Sequence, residues 1–139
     1  MGKIFIYLML SIATLTASEI KWAKDFDSGV AEAKKVNKPI LFVSSRHSCK
    51  YCVILDETTF KDKRVAEELN KNFISIISYS DENDYMPKEL WRPGTPAIWF
   101  LEPNAEPMYQ PLMGAMDAEN FLKALVIVKE EFNKEKKKK

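Results

Sequence analysis

Cysteine and histidine are scarce in this chain of 139 residues: it has two cysteines and one histidine. Both cysteines, Cys49 and Cys52, fall in a single tetrapeptide, which excludes a disulfide framework that staples distant parts of the fold. Closing a loop of about four residues contributes roughly 2 kcal/mol of chain entropy, against roughly 4.7 for about 100 residues. Charge of one sign is also missing. The chain carries 21 Lys plus Arg against 20 Asp plus Glu, a formal net charge of +1. No dominant field for nucleic acid follows from such a balance. No internal repeat is visible. With 46% hydrophobic and 29% charged residues, the composition is that of one globular domain.

The longest apolar stretch, Ile4 to Leu15, covers twelve residues. As a helix it would reach about 18 Å, well short of a hydrocarbon core of about 30 Å. It follows the positive start Met1-Gly2-Lys3 and precedes the small residues Thr16-Ala17-Ser18, so residues 1–18 read as a secretory signal peptide cleaved after Ser18 or Ala17. No cysteine near that point could accept a lipid. Removing residues 1–18 takes away one lysine and leaves 20 basic and 20 acidic residues. The chain ends in lysines rather than a Lys-Asp-Glu-Leu-type address, which favours the periplasm over a reticulum lumen. The expected organisation is a domain over 19–133 and a lysine-rich, solvated tail over 134–139.

Within that domain, Phe26, Val30, Ala33 and Val36 have helical spacing, and Asp25 to Asn37 reads as a helix ended by Lys38-Pro39. The run Pro39 to Ser44 lacks alternation, as in a strand covered on both faces. The cysteines follow it, and Val53-Ile-Leu-Asp-Glu continues as helix, so the pair sits at a strand-to-helix junction. A helix over Lys63 to Lys71 and a strand over Phe73 to Ile77 complete a parallel crossover. Tyr79 to Pro93 is polar and irregular, with a helical turn at Met86 to Leu90. Ala97 to Leu101 is a third strand, and Met108 to Leu112 pairs back as a fourth in a hairpin. Asp117 to Phe132 closes the domain as a helix with Phe121, Leu122, Leu125, Val128 and Phe132 inward.

Cysteine at a helix N-terminus meets unpaired backbone N–H groups and the positive end of the dipole, both of which favour thiolate. Cys49 has that position. Cys52 lies one turn deeper on the same face, placed to attack a mixed disulfide formed at Cys49. Arg46, His47 and Lys50 are candidate positive charges near Cys49. A c-type haem site would need histidine directly after Cys52, where Val53 stands. Cys49, Cys52 and His47 could instead hold copper(I) or an open zinc ion. Buried cysteines acting as small apolar residues are a third possibility.

The strand Ile40 to Ser44, the Cys49-x-x-Cys52 pair opening a helix, and Gly94-Thr95-Pro96 before the strand Ala97 to Leu101 resemble the thioredoxin superfamily. Asp56-Glu57-Thr58-Thr59-Phe60, Val65-Ala66, Leu69-Asn70 and Phe73-Ile74 are similar to the short secreted domains of that superfamily. The resemblance covers about Trp22 to Phe132. It implies an α/β thioredoxin fold, with a central mixed β-sheet flanked by helices. It further implies a cis bond before Pro96 and a Thr95 backbone that pairs with a substrate strand. Thr95 before the proline and Tyr51 before the second cysteine are similar to periplasmic disulfide isomerases. The chain departs from cytoplasmic thioredoxin at Ser48, at Lys50-Tyr51 and at Val43, which stands where that protein has a buried acid. A proton acceptor for Cys52 must then come from elsewhere or from water.

The expected function is therefore a periplasmic thiol–disulfide oxidoreductase. Cys49 and Cys52 form the catalytic pair and redox disulfide, and Thr95 and Pro96 form the substrate-binding loop. The expected partners are protein thiols and disulfides and a membrane electron donor. No cofactor and no nucleic acid are expected, and the chain is expected to be a monomer. The competing expectations are a metal-binding or metallochaperone module built on Cys49, Cys52 and His47, and a peptide-binding chaperone using the Thr95-Pro96 groove. Trp99 is expected to pack in the core, and Trp91 to pack or to line a substrate groove.

Overall fold

Short side-chain acceptors set where the helices begin in the computed structural model, which describes residues 18–139. Asp25 accepts from the Ser28 backbone N–H at 2.8 Å and opens α1, Phe26–Val36, which Asn37 ends in the left-handed region at φ 52°. Asp62 and Asp117 act in the same way for α3, Lys63–Asn72, and α4, Ala118–Lys138. The remaining elements are β1, Ile40–Ser45; α2, Lys50–Glu57; β2, Ile74–Tyr79; β3, Ala97–Leu101; and β4, Leu112–Met113. The expected signal peptide lies, apart from Ser18, outside the described residues.

The four strands form one mixed sheet in the order β2-β1-β3-β4. β1 runs parallel to β2 and antiparallel to β3, so the crossover through α2 and α3 and the flanking helices are as expected. All six residues of β1 are buried, because each face of the sheet is covered. On one face Ile40 and Phe42 join Phe26, Ala33, Ile76, Leu90 and Trp99 under α1. On the other, Leu41 and Val43 join Leu55, Leu69, Phe100 and Phe121 under α2, α3 and α4. α1 lies so close to β2 that a Cβ on Gly29 would stand 2.5 Å from Ile76 Cγ1 and Cδ1. Helix propensity alone would favour alanine at that position, so contact with the sheet is what requires glycine there.

The main departures from the expected boundaries are in the second strand, the fourth strand and the last helix. β2 runs on to Tyr79, in register with Ser45 of β1, instead of stopping at Ile77. The fourth strand is only Leu112–Met113 rather than Met108 to Leu112. Pro107 and Pro111 have no N–H to donate, so the return arm pairs at an isolated Leu101–Pro107 bridge and again at Leu112–Met113. α4 does not end at Phe132 but continues to Lys138, so the lysine run forms its last turns instead of a loose tail. Lysine and glutamate are good helix formers, and Lys136 Nζ lies 5.5 Å from the centre of the Phe132 ring. Among the described residues, no helix is long and apolar enough to cross a membrane.

Candidate active site

Cys49 is the N-cap of α2, with extended backbone at φ −91° and ψ 120°. Its Sγ accepts from the Cys52 backbone N–H at 3.4 Å, as a capping oxygen would. Cys52, one turn along, is 1% exposed, whereas Cys49 is half-buried and open to approach. Both are free thiols. Across the cleft, the Thr95–Pro96 bond is cis, and the Thr95 carbonyl stands 3.3 Å from Cys49 Sγ. The fold therefore brings together all four residues singled out in the sequence, although 46 positions separate Cys49 from Thr95.

The two sulfurs differ in acidity. Burial pushes the Cys49 thiol up, but hydrogen bonds from the Cys52 thiol, the Thr95 side chain and the backbone N–H groups of α2 outweigh it and hold Cys49 below the usual cysteine value. The Thr95 carbonyl acts the other way, since it accepts from the protonated thiol. Cys52 is pushed up, first by burial and then by its hydrogen bond with Cys49, and the Ser45 side chain only partly offsets this. The lower thiol is thus the accessible one and the higher thiol is the enclosed one, as stepwise disulfide exchange requires.

Those hydrogen bonds, rather than the neighbouring cations, are the chief causes of the lowered Cys49 value. Arg46 and Lys50 are exposed. His47 turns away, stacking on Tyr79 at 3.9 Å between ring centres and placing Nε2 2.8 Å from Glu82 Oε1. With His47 so engaged, the three-ligand metal reading loses its third donor. Among the described residues no three His, Cys, Asp or Glu side chains gather in metal-ligating geometry. The Ser48 backbone N–H donates to Asp81 at 3.2 Å, so the segment after β2 braces the loop that carries Cys49.

Tyr51, within the cysteine tetrapeptide, and Trp91, in the segment ahead of Thr95, are 57% and 58% exposed. Trp99 is buried and its indole N–H donates to the Leu90 carbonyl at 3.0 Å. Of the two tryptophans, Trp99 is the packing residue and Trp91 faces solvent. The sequence reading passed over Ser45, which lies against Cys52, and over Asp56 and Tyr79, which line one cavity beside α2. The spacing of Asp56, four residues after Cys52 on one helix, was the available signal.

The family model described as Thioredox_DsbH, "Protein of unknown function, DUF255", matches residues 10–139. Mouse anterior gradient protein 3 is 27% identical over 88 residues, 62% of this chain and 52% of that protein. The thiol:disulfide interchange protein DsbD of Campylobacter jejuni is 25% identical over 123 residues, 84% of this chain and 21% of that protein. The chain thus spans about half the length of the first relative and about a fifth of the second. A solved thioredoxin from Thermus thermophilus is similar with a TM-score of 0.67 at 23% identity, over 79% of this chain and 87% of that one. With a mixed sheet flanked by helices, a Cys-x-x-Cys pair capping α2 and a family model that matches all but its first nine residues, this chain belongs to the DsbH-type family of the thioredoxin fold.

Proposed function

We propose that the chain is a periplasmic thiol–disulfide oxidoreductase, exported by a cleaved signal peptide over residues 1–18, that exchanges disulfides with other proteins. The observation that carries this reading is the pairing of an accessible, helix-capping Cys49 with an enclosed Cys52 one turn away. The Cys49 thiolate attacks one sulfur of a substrate disulfide, forming a mixed disulfide and releasing the other substrate sulfur as a thiolate. The Cys52 thiolate then attacks Cys49 Sγ and releases the second substrate sulfur. Two electrons pass to the substrate and a Cys49–Cys52 disulfide remains. Thr95 and Pro96 hold the substrate strand against Cys49, and a membrane electron donor returns the pair to the dithiol. No cofactor is needed, because the cysteines carry the electrons. The domain, whose last helix runs on through the lysine run, acts as a monomer without nucleic acid. The Campylobacter relative is a thiol:disulfide interchange protein, which supports the same chemistry.

The test is catalysis of insulin disulfide reduction by dithiothreitol, followed as precipitation of the free B chain. Wild-type protein at micromolar concentration is expected to shorten the lag before turbidity. A lag equal to that of dithiothreitol alone would overturn the assignment.

A further inference from the structure

Lysines from two helices meet at the end of the molecule away from the cysteines. α1 closes with Lys34 and Lys35, and α4 closes with Lys136, Lys137 and Lys138, capped by Lys139. The two helix ends share one open cavity of about 540 Å³, with Lys34 of α1, Glu102 and Asn104 of the turn after β3, and Lys136 and Lys139 of α4 in its lining. Ile40 pairs with Leu101, so this pole lies at the start of β1, whereas Cys49 follows the end of that strand. The six residues of β1 put about 20 Å between the two.

Helix dipoles do not account for so many cations. A helix C-terminus carries about half an elementary negative charge, which one lysine at each end would answer. Lys34, Lys35 and the run from Lys136 to Lys139 are exposed, and among the described residues none of them is in an ion pair. Acids are interleaved with them. Glu102 is half-buried, and burial and then its hydrogen bond with Glu135 push its carboxyl above the ordinary range, partly offset by Lys139. Glu106 and Glu135 are exposed, so the pole has an excess of positive charge rather than an unbroken positive face.

From Asn133 to Lys139 there is no apolar side chain to insert into a bilayer or a protein pocket. Four successive lysines, at about 100° per residue, spread around the helix instead of forming one stripe. Their ammonium groups act as point charges rather than as two-pronged clamps. A broad negative surface suits that arrangement better than a shaped groove on a single partner.

We propose that this lysine pole rests on the anionic phospholipid surface of a membrane, with Cys49 facing away from the bilayer. The inference takes from the export proposed above only which face of the membrane is met. Each lysine near an anionic surface multiplies the bound fraction relative to the free by about fivefold, within a reach of roughly 8 Å at physiological salt. The contact is peripheral and reversible. It keeps the domain near the membrane electron donor while leaving Cys49 open to soluble substrates.

Vesicle sedimentation of the protein recovered after export tests this. Wild type is expected to pellet with equimolar phosphatidylcholine–phosphatidylglycerol vesicles and to stay in the supernatant with phosphatidylcholine alone. Pelleting is expected to be lost as salt rises from about 0.01 to about 1 M, where the Debye length shrinks from about 30 to about 3 Å. A variant combining Lys136→Gln, Lys137→Gln, Lys138→Gln and Lys139→Gln keeps good helix formers. Its binding is expected to fall on the order of 10²-fold at low salt, and that of Lys34→Gln with Lys35→Gln on the order of tenfold. Both variants are expected to reduce insulin at the wild-type rate in solution. No pelleting of wild type, wild-type binding by either variant, equal binding to phosphatidylcholine vesicles or indifference to salt would overturn the inference. So would protection of Cys49 from a soluble maleimide on the vesicles, because another end of the molecule would then be in contact. Protein that pellets as expected but fails to reduce insulin would uphold the inference and overturn the exchange chemistry instead.

Discussion

Cys52→Ser protein is expected to accumulate as covalent mixed disulfides through Cys49, while Cys49→Ser protein loses disulfide reduction by at least on the order of 10³-fold. The asymmetry follows from placement. Cys49 is the half-buried cap of α2, reachable from the cleft beside Thr95, and Cys52 is 1% exposed behind it. With Cys52 replaced, the first exchange still occurs, but no internal thiolate can attack Cys49 Sγ, so the covalent complex persists. With Cys49 replaced, the remaining thiol is both enclosed and held in its protonated form by burial. Non-reducing electrophoresis after acid quenching, followed by peptide mapping of the trapped species, checks both. Serine at position 49 can still cap α2, so the loss of reaction in that variant reports on sulfur chemistry rather than on helix fraying.

Trp99→Ala is expected to cost about 3–5 kcal/mol, the usual range for emptying a large buried aromatic site. That is a large share of the roughly 5–15 kcal/mol that holds a domain folded. Trp99 sits at the middle of β3, paired with Phe42 and packed with Leu90 in the core under α1. Two further contacts tie it to the segment ahead of Thr95. Its indole N–H donates to the Leu90 carbonyl, and the Arg92 guanidinium lies 4.5 Å from the ring centre. The substitution therefore leaves a cavity, an unpaired carbonyl and an unanchored approach to the cis-proline loop. Urea unfolding measures the loss. Trp99→Phe keeps much of the ring and is expected to lose less, chiefly through the Leu90 carbonyl at roughly 1–3 kcal/mol.

The parts of this fold that depend on local pattern were readable in advance. The unbroken apolar run at Ile40 to Ser44 could only suit a strand with both faces covered, and β1 is such a strand. Phe121, Leu125 and Val128 set the buried face of α4. The Cys49-x-x-Cys52 pair and Gly94-Thr95-Pro96 indicated one site, because their order along the chain is that of a known fold. What could not be read depends on register and on where side chains turn. His47 looked like a cation for Cys49 or a metal ligand until its ring was seen stacked on Tyr79, 32 positions later along the chain. Asp56 stood in plain view as one acid among 20 acidic residues. Its place beside Tyr79 emerges only once β2 runs on past Ile77, where it was expected to stop. The weak fourth strand failed for a simpler reason, two prolines whose missing donors break the ladder.

The central claim is that Cys49 and Cys52 form a reversible two-electron couple that trades with other thiols. Equilibrating the protein across glutathione buffers of graded potential, with mass spectrometry after alkylation, tests this most directly. The account predicts a single transition between a doubly alkylated dithiol and an unalkylated intramolecular disulfide, at a potential between about −270 and −120 mV. Failure of the two cysteines to join at any potential, or a disulfide that resists reduction below about −300 mV as structural ones do, would contradict it.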